Sequence, residues 1–198
     1  MKLAVAIFAA LVATAGALPA YAQLSPQAEQ LFRDGRDLVK QGKFAEGCAK
    51  LEASQRIEPN INTLLNLAAC REKAGQLATA WALFIRAGAD ARKAGADPKL
   101  IQVAADYVSK LEARLPYVTV SVPDTSRVEG LVLTLDGRTL DPAEYNQGIP
   151  VDPGKHEVVG RAPGHEPWTT SVSVVEAERK SVEVPRFKEL SKLAPDPV

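Results

Sequence analysis

The chain has 198 residues, of which 46% are hydrophobic, and its 24 Lys and Arg balance its 24 Asp and Glu. A chain without net charge has no electrostatic basis for binding nucleic acid or an anionic membrane surface, so neither is expected as a partner. Its length allows one large domain or two small ones.

The N-terminal segment is typical of a secretory signal peptide. Lys2 precedes the uncharged, mostly apolar run 3–18, Pro19 breaks that run, and residues 20–22 supply a small-x-small cleavage site. The alternative is a membrane anchor, but the run is at the short end for a bilayer span. We therefore predict that residues 1–22 are removed, leaving an exported protein, periplasmic or secreted, with no membrane span.

The composition of the chain changes near Pro116. Residues 24–115 are rich in Ala, Leu, Lys, Glu and Arg, which favour helices, whereas the following residues are rich in Val, Thr, Ser, Pro and Gly. This change predicts the α+β class, with a helical domain at 23–115, a β domain at 116–188 and a C-terminal tail at 189–198.

The helical half repeats itself with a period of 33 residues. Residues 41–54 align with 74–87, so that small residues meet small ones and large residues meet large ones. Gly42 and Gly75 fall at the same place and are predicted to turn the chain between two helices. A fifth helix is expected from Pro98, and it would cap the last repeat.

This pattern resembles the tetratricopeptide repeat (TPR). The residues that carry the resemblance are Leu31, Gly35, Leu38, Gly42, Phe44, Gly47, Leu51, Ser54 and Pro59, with a second set one period later. Gly47 and Ser54 replace common alanines, and Arg71 stands where an aromatic residue or Leu is usual. The resemblance implies two helical hairpins followed by a capping helix.

The resemblance also implies a concave surface lined by the first helix of each hairpin. The candidate partner groove on that surface consists of Phe32, Arg36, Lys40, Leu65 and Glu72, and Glu29, Asn62, Ala69 and Lys73 lie on the same surface. The Lys and Asn set that holds a peptide carboxylate in some TPR proteins is missing, so that kind of ligand is not expected. The alternative is a solvated face without a partner.

The two cysteines are expected on neighbouring antiparallel helices. Cys48 and Cys70 lie almost equally far from the connection near residues 58–61, which places them level to within about 1.5 Å. In an exported protein this favours a disulfide, which would close a long loop and stabilise the fold by about 3 kcal/mol. The alternative is two buried free thiols.

The second half contains short segments in which apolar and polar residues alternate. The valines at 118, 120 and 122 and the leucines at 131, 133 and 135 are spaced as in half-buried strands. Asp136-Gly137 is a hairpin signal, and Asp152-Pro153-Gly154 is a second tight turn. Six or so strands of this kind predict a small antiparallel sheet or sandwich.

The β half resembles a PEGA domain. The residues that carry the resemblance are Pro150, Pro153, Gly154, His156, Val158, Gly164 and His165. Together with a signal peptide and two TPR-like units, it is similar to a group of exported proteins of myxobacteria and their relatives. These resemblances imply fold and location but no reaction.

The only two histidines, His156 and His165, are each followed by a glutamate, Glu157 and Glu166. In a strand, consecutive side chains point to opposite faces, so His156 shares the apolar face with Val158 and not with Glu157. His165 follows a turn glycine. A metal site is therefore not expected, and no other catalytic motif or cofactor signature is present in the sequence.

We therefore expect a non-enzymatic exported protein that binds a protein partner or scaffolds an envelope component. The alternative is a polysaccharide- or cell-wall-binding module in which Trp168 and Tyr145 are exposed stacking platforms. A third hypothesis, a metal-dependent enzyme, would require His156 and His165 to converge with a carboxylate.

Overall fold

The computed structural model describes residues 25–190, so the predicted signal peptide and residues 191–198 of the predicted tail lie outside this range. Five helices come first: α1 (Pro26–Lys40), α2 (Phe44–Ile57), α3 (Ile61–Lys73), α4 (Leu77–Lys93) and α5 (Pro98–Glu112). Seven strands follow: β1 (Tyr117–Ser121), β2 (Val132–Leu135), β3 (Arg138–Thr139), β4 (Gly148–Pro150), β5 (Gly154–Arg161), β6 (Trp168–Val174) and β7 (Arg179–Glu183). The predicted α+β class is confirmed. None of the helices in the described range is long and apolar enough to cross a membrane.

The helices begin and end at residues that suit helix termini. Ser25, Asn60 and Asp97 each accept a hydrogen bond from a backbone N–H in the first turn of α1, α3 and α5. Gly42 and Gly75, the predicted turn residues, have φ angles of 76° and 79°, which glycine adopts without steric strain. As a result α1 and α2 form one hairpin, α3 and α4 form another, and α5 packs on α4.

Leucine and alanine dominate the core of the helical half. Its buried members are Leu64, Leu65, Ala68, Leu77, Ala80, Phe84, Ala87, Ala104, Leu111 and Leu115. The Phe84 ring of α4 stacks on the Tyr107 ring of α5 with 4.4 Å between centroids. The fifth helix therefore covers the apolar side of the second hairpin.

The disulfide between Cys48 and Cys70 is present, as predicted. It joins α2 to α3 across a Cα–Cα distance of 5.6 Å, and both residues are buried. Leu51 and Leu67 are buried beside it. Because the bridge connects the two hairpins, it links the first repeat to the second covalently.

The strands form two sheets that share one core. One sheet has the order β4-β1-β7 and the other β3-β2-β5-β6. The predicted antiparallel arrangement holds for every strand pair except β1 and β7, which run parallel. In sequence, the strands of the second sheet lie between β1 and β7, and the chain then returns to the first sheet, where β7 runs beside β1 in the same direction. The core consists of Val118, Val120, Val122, Leu133, Leu135, Leu140, Ile149, Val151, Val158, Val174, Val184 and Phe187.

Candidate functional site

The candidate partner groove lies on an exposed face of α1 and α3. Phe32 and Arg36 of α1 are in contact, because the Arg36 guanidinium carbon lies 5.5 Å from the centroid of the Phe32 ring. Arg36 and Lys40 line a cavity of about 170 Å³ with Lys73 of α3, and these are the charged residues of its lining. The cavity is therefore suited to an anionic group.

Three of the five predicted groove residues do not line this cavity. Phe32 is half-buried against the cluster of Cys48, Leu51, Leu67 and Cys70. Leu65 is only 9% exposed and belongs to the helical core. The half-buried Glu72 carboxylate accepts a hydrogen bond from Arg114 Nη1 at 2.9 Å, so it faces the junction with the β half. Successive helical residues are rotated by about 100°. For this reason Asn66, directly after Leu65, lines the groove in its place.

Asn66 is the polar residue of the cavity lining that the sequence prediction missed. Its side-chain Nδ2 donates to the Asn62 carbonyl at 2.8 Å, which leaves the amide oxygen as an acceptor. Asn62, Asn66 and Lys73 recur at i, i+4 and i+11, a spacing that places them on one helix face. That periodicity was the signal available in the sequence. Cys70 also lines the cavity, so the disulfide stiffens its wall.

A second polar cluster joins α4 to the β half. Asp152, in the predicted tight turn, accepts hydrogen bonds from the Thr79 backbone N–H at 3.0 Å and from the Thr79 hydroxyl at 2.6 Å. Thr79 lies in the first turn of α4, where Gln76 provides no side-chain cap. The Asp152 carboxylate therefore caps α4 from the β half, at the end of the helix where the dipole favours a negative charge.

The buried His156 ring supports the turn that carries this cap. Its Nδ1 lies 2.6 Å from Asp136 Oδ2, and its Nε2 lies 2.7 Å from the Asp152 carbonyl oxygen. His156 is packed on the inner face of β5, as the alternation predicts, but the sequence did not reveal its pairing with Asp136. His165 is held elsewhere, with its Nδ1 2.8 Å from the Pro163 carbonyl.

The two histidines therefore have separate structural partners. Within residues 25–190 no group of three His, Cys, Asp or Glu side chains is placed to hold a metal ion.

Arg114 forms a further bridge between the halves. It donates to Glu72 of α3 at 2.9 Å and to Glu176, before β7, at 2.7 Å. The hydrogen bond with Glu176 raises the pKa of Arg114 and lowers the pKa of the Glu176 carboxyl. The Arg114 carbonyl also accepts from the Ala177 backbone N–H at 2.8 Å. The two halves are thus joined on two sides, at Asp152 and at Arg114.

A cleft of about 490 Å³ lies between α4 and the β half. Trp81, Ile149 and Val151 supply apolar walls, and Asp136 and Arg138 add charged groups. The indole Nε1 of Trp81 is buried and has no hydrogen-bond partner in the described part of the chain. A cleft of this size between two packed layers is a common place for small ligands.

The two aromatic residues proposed as sugar platforms are half-buried. Both Trp168 and Tyr145 pack against the core of the β half. Desolvation by this burial raises the pKa of the Tyr145 hydroxyl.

Comparison of the chain with models of known protein families and with curated protein sequences found no match.

Proposed function

We propose that this chain is a non-enzymatic exported protein that binds a protein partner, or scaffolds an envelope component, through the groove between α1 and α3. On this proposal the helical half is TPR-like and the β half is PEGA-like, and the mature protein is periplasmic or secreted. The predicted signal peptide supports export, and the Cys48–Cys70 disulfide agrees with an oxidising compartment.

The observation that carries the proposal is the convergence of Arg36, Lys40 and Lys73 on one cavity that has no acidic residue in its lining. Lys40 is paired at 2.9 Å with Asp37, but both side chains are more than 60% exposed, so this pair is weak and easily exchanged. An extended acidic segment of a partner would supply carboxylates to the three cations, while Phe32 provides an apolar contact beside Arg36.

A fluorescent oligoglutamate peptide tests the charge preference of the groove. We expect binding that weakens as salt is added, because exposed charges are screened. The double substitution Arg36→Glu and Lys73→Glu should weaken binding by about tenfold or more. Lys50→Glu is the matched control, since Lys50 is exposed on α2 and outside the groove. Equal binding by the control and the double variant would contradict the proposal.

A cross-linking pull-down from the native envelope then identifies the partner. The wild-type protein and the Lys50→Glu variant should capture the same protein, and the double groove variant should lose it. A partner captured equally by all three baits would show that this groove is not its binding site. The polysaccharide hypothesis is tested separately, by measuring binding of the purified protein to purified cell-wall material.

A further inference from the structure

The sheets have four outer edges, and three of them are protected against pairing with another strand. The edge strand β3 has two residues, β4 has three and includes Pro150, and β7 carries Arg179, Lys180 and Glu183. Short length, proline and charge are the devices by which proteins block such edges. The fourth edge strand, β6, has seven residues, Trp-Thr-Thr-Ser-Val-Ser-Val, with neither charge nor proline.

The outer edge of β6 presents backbone groups that no other strand pairs with, and one of them, the Ser173 carbonyl, is bonded by the Lys180 side chain of β7. Glu157 of β5 directs its N–H and its carbonyl to Asp136, on the β2 side. Ser171 is the β6 partner of Glu157, so its own N–H and carbonyl point away from β5, because bonded and non-bonded pairs alternate in an antiparallel ladder. The backbone N–H and carbonyl groups of Thr169 and Ser173, two residues away on either side, also point away from β5. Lys180 Nζ confirms this orientation by donating to the Ser173 carbonyl at 2.7 Å.

Within residues 25–190 no strand pairs with this edge. The inward-facing side chains of β6 are also incompletely covered, since Trp168 and Val172 are half-buried. Val175, which directly follows the strand, is 66% exposed, the highest value among the large hydrophobic residues of this range. An uncharged strand with open backbone groups and uncovered apolar neighbours is a template for strand addition.

We propose that β6 is a self-association surface, on which the β6 strand of a second copy of this chain pairs in antiparallel orientation. The register with the longest overlap places Ser171 opposite Ser171 on the two-fold axis. It pairs Thr169 with Ser173, and Val175 then meets Pro167 of the other copy. Every pair in this register is neutral, and the exposed valine gains an apolar neighbour. The exposed Lys180 side chain leaves the Ser173 carbonyl when the second strand pairs there, and it keeps its ion pair with Glu178. The two four-stranded sheets become one continuous sheet.

Self-association brings two partner grooves into one assembly. A dimeric scaffold binds a repeated or multivalent partner more tightly than one groove does, because the second contact is intramolecular. The dimer itself does not depend on the proposed groove function, so the two proposals fail independently.

Analytical ultracentrifugation of the purified protein tests the proposal. We expect a monomer–dimer equilibrium over about a hundredfold range of protein concentration. Ser171→Lys places two like charges opposite each other at the axis and should weaken the dimer by about tenfold or more. Thr139→Lys is the matched control, because Thr139 is exposed on β3 at the far edge of the same sheet. A wild-type protein that stays monomeric over this range would overturn the proposal, as would equal effects of the two variants.

Cysteine substitutions test the register. In the paired strands the two copies of residue 171 have Cα atoms about 5.5 Å apart, within the range that a disulfide spans. The variant Ser171→Cys should form a covalent dimer on mild oxidation. Thr169→Cys should not, since its two copies lie four residues out of register, about 14 Å apart. Cross-linking of Thr169→Cys at the same rate as Ser171→Cys would exclude this arrangement, and circular dichroism checks that both variants are folded.

Discussion

Replacing Asp152 with alanine removes the carboxylate that caps α4 from the β half. Two hydrogen bonds disappear, one from the Thr79 backbone N–H and one from the Thr79 hydroxyl. The bond between the Asp152 carbonyl and His156 remains, because it belongs to the backbone. The substitution therefore tests the cap and leaves the turn beneath it in place.

The magnitude follows from the two kinds of interaction lost. Removing a helix N-cap costs about 1 kcal/mol, and a negative charge at the helix N-terminus contributes about 0.3–1 kcal/mol more. Thr79 is only half-buried, so water recovers part of the loss. We expect Asp152→Ala to lower the free energy of unfolding by about 1.5 kcal/mol, or the melting temperature by about 3–6 °C for a chain of this size.

Urea denaturation followed by circular dichroism and tryptophan fluorescence measures the effect. Asp152→Asn keeps an acceptor oxygen but loses the charge, so it should cost about half as much. A double-mutant cycle with Thr79→Val should give a coupling energy of about 1 kcal/mol, since the two side chains touch. Asp97→Ala is the control, because Asp97 caps α5 within the helical half, and it should destabilise the protein without coupling to Thr79. A change below about 0.5 kcal/mol for Asp152→Ala, or strict additivity in the cycle, would refute the reasoning.

Three further predictions concern stability. Replacing Cys48 and Cys70 with serine should lower the free energy of unfolding by about 3 kcal/mol, and a loss under about 1 kcal/mol in urea denaturation would contradict the loop-entropy argument. Gly47→Ala should destabilise the protein by about 1–3 kcal/mol although alanine favours helices, because the added Cβ would lie 3.0 Å from the backbone carbonyl oxygen of Gly35. A raised melting temperature of this variant in thermal denaturation would contradict the prediction. The hydrogen bond to Arg114 lowers the pKa of the Glu176 carboxyl. The ion pair therefore stabilises the folded state above pH ~4.5, by less than about 1 kcal/mol because the pair is exposed, and this stabilisation is lost as the pH falls through the lowered pKa of Glu176. Glu176→Gln should flatten this part of the stability–pH curve, and an unchanged acid slope would argue against the bridge.

The local chemistry of the chain was sufficient to predict most of the elements. Gly42 and Gly75 are spaced by the repeat, and both end a helix with positive φ. The alternation around His156 placed that ring on the inner face of β5, where it is 7% exposed. These features depend on neighbours in sequence, and their periods of 3.6 and 2 residues are visible before any tertiary contact is known.

The groove was predicted only in part, because its lining depends on rotation about the helix axis. Arg36 and Lys40 line the cavity, whereas Phe32 packs against the disulfide cluster, and Leu65 points into the core so that Asn66 takes its place. Glu72 lies on the expected helix but faces Arg114. Alignment of two repeats does not resolve a difference of one residue in helical phase, yet that difference decides which side chains a partner would meet.

The sequence by itself determined the α+β class, the helical hairpins, the disulfide and the alternation of the strands, because each follows from local propensity or from equal spacing about a turn. Only the tertiary structure decided that β7 returns parallel to β1, that Asp152 caps α4 and that the edge of β6 is open. Asp152 and Thr79 are separated by 73 residues, and no local pattern encodes a contact over such a distance. These features depend on segments that are far apart in sequence and meet only when the chain packs, and the geometry of that packing selects the residues that meet.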